Sequence, residues 1–188
     1  MLHLKNNGFT IIEIIISLFI SALIFILLSQ VYLLAQNTYL TTDAKAEITQ
    51  NGRVIVDRMI REIRQTQDII TQLPADSSGQ TPSEIMFQDG HNTSTIQYIR
   101  YYLDGTNIKR QIIVYYFADQ PDDYVHSFDT AGAPPHNPPI QQIVDERIVG
   151  EFVSDIEFYG SPLLYINLYL AKDGRSSVVS TSVYGRNL

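Results

Sequence analysis

The stretch that decides the fold is Met1-Leu2-His3-Leu4-Lys5-Asn6-Asn7-Gly8-Phe9-Thr10-Ile11-Ile12-Glu13, which runs into an apolar segment ending near Ala35. Glu13 is the one charged residue of that segment. A carboxylate inside a bilayer costs about 2.5 to 3.5 kcal/mol on insertion scales, so it marks a functional position that needs a partner. Cleavage after Gly8 would supply an amine on Phe9, roughly 6 Å or one helical turn from Glu13.

The apolar segment, residues 9–35, exceeds the roughly 20 residues that a helix needs to cross a bilayer core. Lys5 precedes it, and the next basic residue is Lys45. Because positive charge is retained on the cytoplasmic side, this asymmetry predicts a cytoplasmic N-terminus and an extracytoplasmic C-terminal domain. We therefore expect a leader at 1–8, a single membrane-spanning segment at 9–35 and an extracytoplasmic domain at 36–188.

The polar leader, Gly8, the run Phe9-Thr10-Ile11-Ile12-Glu13 and the apolar segment together resemble the processing site of type IV pilins and type II secretion pseudopilins. An ordinary secretory signal is cut after its apolar region, whereas here the cut would precede it and the apolar segment would be retained. The resemblance implies cleavage between Gly8 and Phe9 by a prepilin peptidase and N-methylation of Phe9. It also implies assembly with other pilins through the N-terminal helix, with Glu13 receiving the Phe9 amine of a neighbouring subunit.

Composition excludes several other classes of protein. The chain has no Cys, so it has neither a disulfide framework nor a thiolate zinc site. From Gln36 onward, 12 Lys and Arg stand against 19 Asp and Glu, a net charge of 12 − 19 = −7. Nucleic-acid binding needs clustered basic residues, so we expect no direct nucleic-acid partner.

Beyond the apolar segment, a stripe at steps of three and four residues predicts one buried face of a helix that continues to about residue 73. The stripe consists of Ile48, Gly52, Ile55, Val56, Met59, Ile63, Thr66 and Ile70. Opposite charges four residues apart predict ion pairs on the polar face, namely Arg53–Asp57, Asp57–Arg61, Arg58–Glu62 and Arg64–Asp68. In the apolar segment, Ser17, Ser21, Ser29 and Gln30 could hydrogen-bond to neighbouring helices or to their own backbone.

Strand patterns follow the helix, at 84–88, 95–103, 108–117, 148–159, 163–171 and 177–184, and Gly150 could bend the fourth of them. Asp104-Gly105-Thr106-Asn107 is typical of a hairpin turn, and the Pro-rich and Asp-rich region 118–139 predicts a long loop. One long helix followed by four to six antiparallel strands is an α+β layout with the helix packed on the sheet, in the order of the pilin fold.

Further motifs resemble W-type minor pilins and J-type minor pseudopilins. They are Gln50-Asn51-Gly52-Arg53 through Arg61-Glu62-Ile63-Arg64, the hairpin with Arg110 beyond it, Ile156-Glu157-Phe158-Tyr159 and Tyr184-Gly185-Arg186-Asn187. This resemblance implies a minor subunit that helps to prime assembly at a filament tip. Arg110 and Arg186 could pair with acids across the sheet or be solvated.

No catalytic motif appears in the sequence. HExxH, GxSxG, the P-loop and the dinucleotide fingerprint are all missing, so we expect neither an enzyme nor a cofactor. The four histidines, His3, His91, His126 and His136, have no short metal-binding spacing. Asp119, Asp122, Asp123 and Asp129 form a candidate calcium site, although their spacing does not fit an EF-hand and a solvated acidic loop is the alternative.

Two other functions remain open from the sequence. The first is a single-pass anchored adhesin or receptor that uses the loop at 118–139 to contact a ligand, which predicts an uncut N-terminus. The second is a competence pseudopilin for DNA uptake, which shares the processing pathway and differs in cargo.

Overall fold

The computed structural model describes residues 10–91, 95–131 and 137–185, and it confirms the α+β class. Helix α1 spans Ile11–Ile63 and is followed by strands that pair only in antiparallel fashion in two sheets. The strands are β1 (Glu84–Gln88), β2 (Tyr98–Asp104), β3 (Asn107–Phe117), β4 (Gln120–Tyr124), β5 (Ile140–Gly150), β6 (Val153–Tyr159), β7 (Leu163–Lys172) and β8 (Arg175–Tyr184). The chain divides into two compact units, Met1–Asp43 and Ala44–Leu188.

Helix α1 ends at Ile63, so the expected end near residue 73 was wrong. The segment after the helix runs along β1 instead. The amide of Gln88 donates to the carbonyl of Asp68 at 2.8 Å, and the amide of Ile70 donates to the carbonyl of Met86 at 2.8 Å. Because the sheet edge satisfies these backbone groups, the chain leaves the helix without losing hydrogen bonds.

The predicted stripe on the second part of α1 is buried. Ile48, Ile55, Met59 and Ile63 are fully enclosed, and Thr66 just beyond the helix is also buried. Gly52 lies on the same face, where an added Cβ would come within 2.8 Å of Leu170 Cδ1 and 2.9 Å of Val179 Cγ2. The 3.6-residue period of this segment therefore identified the face that packs on the sheets.

The larger sheet has the order β1-β2-β3-β4, with β5 paired to β3. Strands β2 and β3 form the predicted hairpin, in which Asp104 lies opposite Asn107 and Gly105 has a φ of 62°. This left-handed conformation suits glycine, which has no Cβ to clash. Buried residues of β1, β2 and β3 that face α1 include Phe87, Tyr101 and Ile108.

The smaller sheet has the order β6-β7-β8. Alternate residues of β7 are buried, namely Leu164, Ile166, Leu168 and Leu170, and they join the residues from α1 and the larger sheet in one core.

Two expectations about the strands were wrong. The segment 148–159 is two strands in different sheets, broken where Phe152 adopts a φ of 63°. The region 118–139 contains β4, and β5 begins at Ile140 rather than at residue 148. Every residue of β4 is exposed, as are most residues of β5. Without a buried face, neither strand shows the alternation by which strands are recognised.

Candidate functional site: the helix start and the helix–sheet junction

The start of α1 is built around Thr10 and Glu13. The Thr10 amide donates a hydrogen bond to Glu13 Oε2 at 2.8 Å, and the Thr10 hydroxyl donates to the same oxygen at 2.8 Å. This Thr-x-x-Glu arrangement is a capping box, in which the acid satisfies a backbone amide at the helix start. This local role of Glu13 was not predicted from the sequence, although the Thr-x-x-Glu spacing could have indicated it.

Glu13 Oε1 accepts no hydrogen bond among the described residues, because the Thr10 contacts all fall on Oε2. Among the described residues, the carboxylate is thus bound by its own chain through Oε2 alone. Gly8 and Phe9, the predicted processing and methylation positions, lie outside the described residues. The structure therefore describes Glu13 and its cap, but not the amine that was expected to reach it.

Apolar side chains surround the first part of α1 on every side. From Ile11 to Tyr39, the large apolar side chains are between 47% and 79% exposed. The helix is long and apolar enough to cross a membrane by length and composition. A helix that is apolar all round needs lipid or other helices as its surroundings.

The hydroxyls along this segment bond to their own backbone. Ser17 donates to the carbonyl of Ile14 at 2.9 Å, Ser21 to that of Ser17 at 2.7 Å, and Ser29 to that of Phe25 at 2.8 Å. Of the two alternatives for these serines, the structure shows the local one.

A second polar site joins the end of α1 to the larger sheet. Glu62 accepts hydrogen bonds from Arg110 Nε at 3.1 and 3.0 Å and from the Tyr101 hydroxyl at 2.7 Å. Arg110 and Tyr101 are buried. Arg58 Nε lies 3.7 Å from Glu62 on the outer side. Arg110 thus pairs mainly with an acid of the helix, whereas Arg186 lies outside the described residues.

Burial and the charge of Glu62 raise the pKa of Tyr101 well above its usual range. Burial by itself would lower the pKa of Arg110, but its hydrogen bond and its attraction to Glu62 outweigh that effect and raise it. Both shifts favour the protonated forms, a neutral phenol and a charged guanidinium. At neutral pH the junction therefore consists of the neutral phenol of Tyr101 and the ion pair between Arg110 and Glu62.

The ion-pair chain continues onto β5. Arg110 Nη1 is 3.9 Å from Asp145 Oδ2 and has no hydrogen-bond partner among the described residues. Asp145 Oδ2 also lies 3.2 Å from Arg147 Nε. Charges thus alternate from the helix to the sheet edge, through Arg58, Glu62, Arg110, Asp145 and Arg147.

Of the four ion pairs predicted on the polar face of α1, the structure forms Arg58–Glu62. The other three are not formed among the described residues, where the side chains of Arg53, Asp57, Arg61 and Arg64 are exposed. Pairs of this kind on a solvated helix contribute only about 0.2 to 0.5 kcal/mol each, so solvation competes with them easily. This face is charged but not bound into a network.

The candidate calcium residues are not gathered into a cluster. Asp129 Oδ2 accepts a hydrogen bond from the His126 amide at 2.8 Å. Asp122 and Asp123 lie on the exposed strand β4. Within the described ranges, no group of three or more His, Asp or Glu side chains is placed to hold a metal ion.

Comparison with known proteins identifies the N-terminal segment. Residues 3–29 of the 188 match the family model of the prokaryotic N-terminal methylation motif. A search of curated proteins and a search of solved structures found no match. The motif and the long apolar helix packed on antiparallel sheets support a type IV pilin-like or pseudopilin-like protein, a class that is generally structural rather than enzymatic.

Proposed function

We propose that the chain is a minor pilin or minor pseudopilin, a non-catalytic assembly subunit of a type IV pilus or of a type II secretion-like filament. The observation that carries the proposal is Glu13, an acid whose Oε1 accepts no hydrogen bond among the described residues, at the start of a helix whose large apolar side chains are exposed. The match of residues 3–29 to the methylation motif supports it. The W-type or J-type assignment rests on the sequence motifs given above.

The proposed precursor is a substrate of a prepilin peptidase, cut between Gly8 and Phe9 and then methylated on Phe9. Residues 9–35 hold the mature chain in the membrane, and residues 36–188 form the extracytoplasmic domain. Before assembly, the subunit is held in the membrane, with the first part of α1 surrounded by lipid. In the filament, helices of other pilins take the place of the lipid.

Glu13 has two roles in this proposal. Its Oε2 holds the start of α1 through the Thr10 amide and hydroxyl. Its Oε1 receives the Phe9 amine of a neighbouring subunit during assembly. Removing one partner of such a desolvated ion pair leaves a buried charge, which costs about 3 to 5 kcal/mol. An arrangement of helices that separates the two groups is disfavoured for the same reason. The pair would therefore set the register between neighbouring helices.

Processing is tested by intact and peptide mass spectrometry after co-expression with a prepilin peptidase. We expect a chain that begins with N-methyl-Phe9. Retention of residues 1–8, with the peptidase shown to be active on a control substrate, would contradict the proposal and favour the anchored adhesin or receptor.

The two roles of Glu13 are separated by comparing Glu13→Gln with Glu13→Ala. A glutamine side chain can still complete a capping box, whereas it cannot pair with an amine as an ion. If charge pairing drives assembly, both variants are processed and both fail to enter filaments. Normal incorporation of Glu13→Gln would show that Glu13 serves only as a cap.

A further inference from the structure

The second part of α1 and the strands carry opposite net charges. Residues 44–64 contain five Lys and Arg against three Asp and Glu, whereas residues 65–188 contain seven against fifteen. Arg53, Arg61 and Arg64 lie on the side of α1 away from the buried stripe, where they are exposed and form no ion pair among the described residues. Asp57 is the one acid among them, so this face stays positive. We call the three residues the arginine stripe.

The outer face of the smaller sheet carries acids. Ile156 and Phe158 of β6 are buried in the core, so Asp155 and Glu157 lie on the opposite face, because successive strand residues alternate. Glu157 Oε2 accepts a hydrogen bond from Asn167 Nδ2 at 3.0 Å. Neither acid forms an ion pair among the described residues. Two carboxylates are therefore presented to solvent without a base.

Aromatic side chains lie beside these acids. The rings of Tyr159 and Tyr165 stack, with centroids 5.2 Å apart and an angle of 10° between the ring planes, and Tyr165 is 40% exposed. The basic residues of β7 and β8, Lys172 and Arg175, fall on the inner side of the strand alternation. An arginine pairs with a carboxylate through its planar fork and stacks on aromatic rings. The outer face thus offers the two kinds of group that an arginine binds.

The arginine stripe and this outer face belong to opposite sides of one layered domain, and their levels along it are comparable. Strand β7 runs in the opposite direction to α1, since Lys172 Nζ lies 2.7 Å from Glu47 Oε1 while Leu170 packs against Gly52. One strand residue rises about as far as two helical residues, at roughly 3.3 and 1.5 Å each. Positions on the sheet can therefore be compared with positions on the helix, starting from Gly52.

This comparison places each group of the outer face near the level of one arginine. Asp155 and Glu157 lie opposite Tyr169 and Asn167 of β7, which are one and three residues from Leu170. The matched levels, each to within roughly 4 Å, are Arg53 with Asp155, Arg61 with Glu157 and Arg64 with Tyr165. An arginine side chain is long and flexible enough to span such an offset.

We propose that the arginine stripe of one copy of this chain docks on the outer face of the smaller sheet of a second copy, side by side. The facing groups are Arg53 with Asp155, Arg61 with Glu157 and Arg64 with Tyr165. A sideways translation of one copy brings these groups together and leaves α1 pointing in the same direction in both. That common direction rests on the proposed function, because a membrane-spanning segment orients every copy alike.

The contact is heterologous, since one copy contributes its helix and the other its sheet. Each copy keeps one of the two surfaces free, so the contact can be repeated by a further copy instead of closing as a dimer. Charge complementarity selects the pairing, because helix against helix would bring arginines together and sheet against sheet would bring acids together.

The first test is cross-linking in the membranes of a bacterial host, with the full-length chain and a short bismaleimide. The chain has no Cys, so single cysteines report specific positions. Asp57→Cys lies within the stripe, and Ser180→Cys lies on the outer face opposite Asn167. Two co-expressed chains, one with each cysteine, should cross-link to each other, whereas either variant alone should give at most a tenth of that yield.

The matched control replaces Ser180→Cys with Val144→Cys, which is also exposed but lies on β5 of the larger sheet. Asp57→Cys should not cross-link to it above the level of the single variants. Equal cross-linking by the control pair, or by Asp57→Cys alone, would overturn the proposed contact.

The second test reverses charges in the reporter chains. Arg53→Glu places an acid against Asp155, and Asp155→Arg places a base against Arg53, so each change alone should lower the cross-linking yield roughly tenfold. The double variant with both changes restores an attractive pair and should recover the yield. Arg53→Glu with Asp122→Arg on the exposed strand β4 has the same net charge and should not recover it. Recovery by both double variants, or by neither, would refute the pairing of Arg53 with Asp155.

Mass spectrometry of the N-terminus in the same cells, with a prepilin peptidase present, separates this inference from the proposed function. A processed chain that fails to cross-link overturns the contact and leaves the proposed function standing. An unprocessed chain that cross-links as expected overturns the proposed function and leaves the contact standing.

Discussion

The two parts of α1 differ in what surrounds them, although they form one continuous helix. In the first part, from Ile11 to Tyr39, the large apolar side chains are exposed. In the second part, from Ile48 to Ile63, one stripe is buried and most of the other residues are charged or polar. The second part is thus stabilised by its own domain, whereas the first requires lipid or other subunits. A single helix can therefore serve both folding and assembly, with the two functions in different segments.

The largest effect is expected at the junction between α1 and the larger sheet. Glu62→Ala leaves the buried Arg110 guanidinium without its main partner, and we expect the free energy of unfolding to fall by about 3 to 5 kcal/mol. Arg61→Ala is the matched control, because Arg61 is exposed and forms no ion pair among the described residues. It should change stability by less than about 0.5 kcal/mol. Urea unfolding of the full-length chain in detergent, followed by near-ultraviolet circular dichroism, measures both.

A double variant tests whether the junction acts through an unpaired charge. Replacing both Glu62 and Arg110 with Met removes both charges together, so it should be less destabilising than Glu62→Ala alone. If the double variant loses as much stability or more, the junction acts through its specific hydrogen bonds rather than through charge compensation.

The next effect compares the same substitution in the two parts of the helix. Ile55→Ala removes a fully buried side chain, and it should lower the free energy of unfolding of the domain by about 2 to 5 kcal/mol. Ile24→Ala removes a side chain that is 50% exposed, and the domain's stability should stay within about 0.5 kcal/mol of the wild type. The same unfolding assay measures both. A large loss from Ile24→Ala would show that the first segment also stabilises the domain.

The sequence indicated the features that depend on local pattern. The hairpin turn was indicated by Gly105, which can adopt the positive φ that the turn needs. The buried stripe from Ile48 to Ile63 and the alternation in β7 were indicated by the period of their apolar residues. It did not indicate the end of α1, because nothing near Ile63 breaks a helix. The competitor there is the edge of β1, which lies far along the chain.

The candidate site was predictable to a similar extent. Glu13 stood out because it is an acid in an apolar segment, and its contact with Thr10 follows a known local spacing. The Glu62–Arg110–Tyr101 junction joins residues up to 48 positions apart. No spacing rule connects such residues before the fold is known. Strand β5 was not recognised for a related reason, since a strand exposed on both faces has no alternation.

The smallest effect at neutral pH is expected at Tyr101, where the pH dependence shows how deeply the junction is buried. The raised pKa of Tyr101 means that the unfolded chain loses this proton near pH 10 while the folded chain retains it. Stability from this group is therefore complete below about pH 10 and falls as the pH rises further, by up to about 1.4 kcal/mol per unit.

Tyr101→Phe should lose only about 0.5 to 1.5 kcal/mol at pH 7, from the missing hydrogen bond. Above pH 10 the variant should lose stability less steeply than the wild type, because it lacks this ionisation. Parallel slopes for the two proteins in urea titrations between pH 8 and pH 11 would instead mean that the phenol ionises freely. The junction would then be open to solvent, and the contrast between the enclosed and exposed parts of α1 would be weaker than the structure indicates.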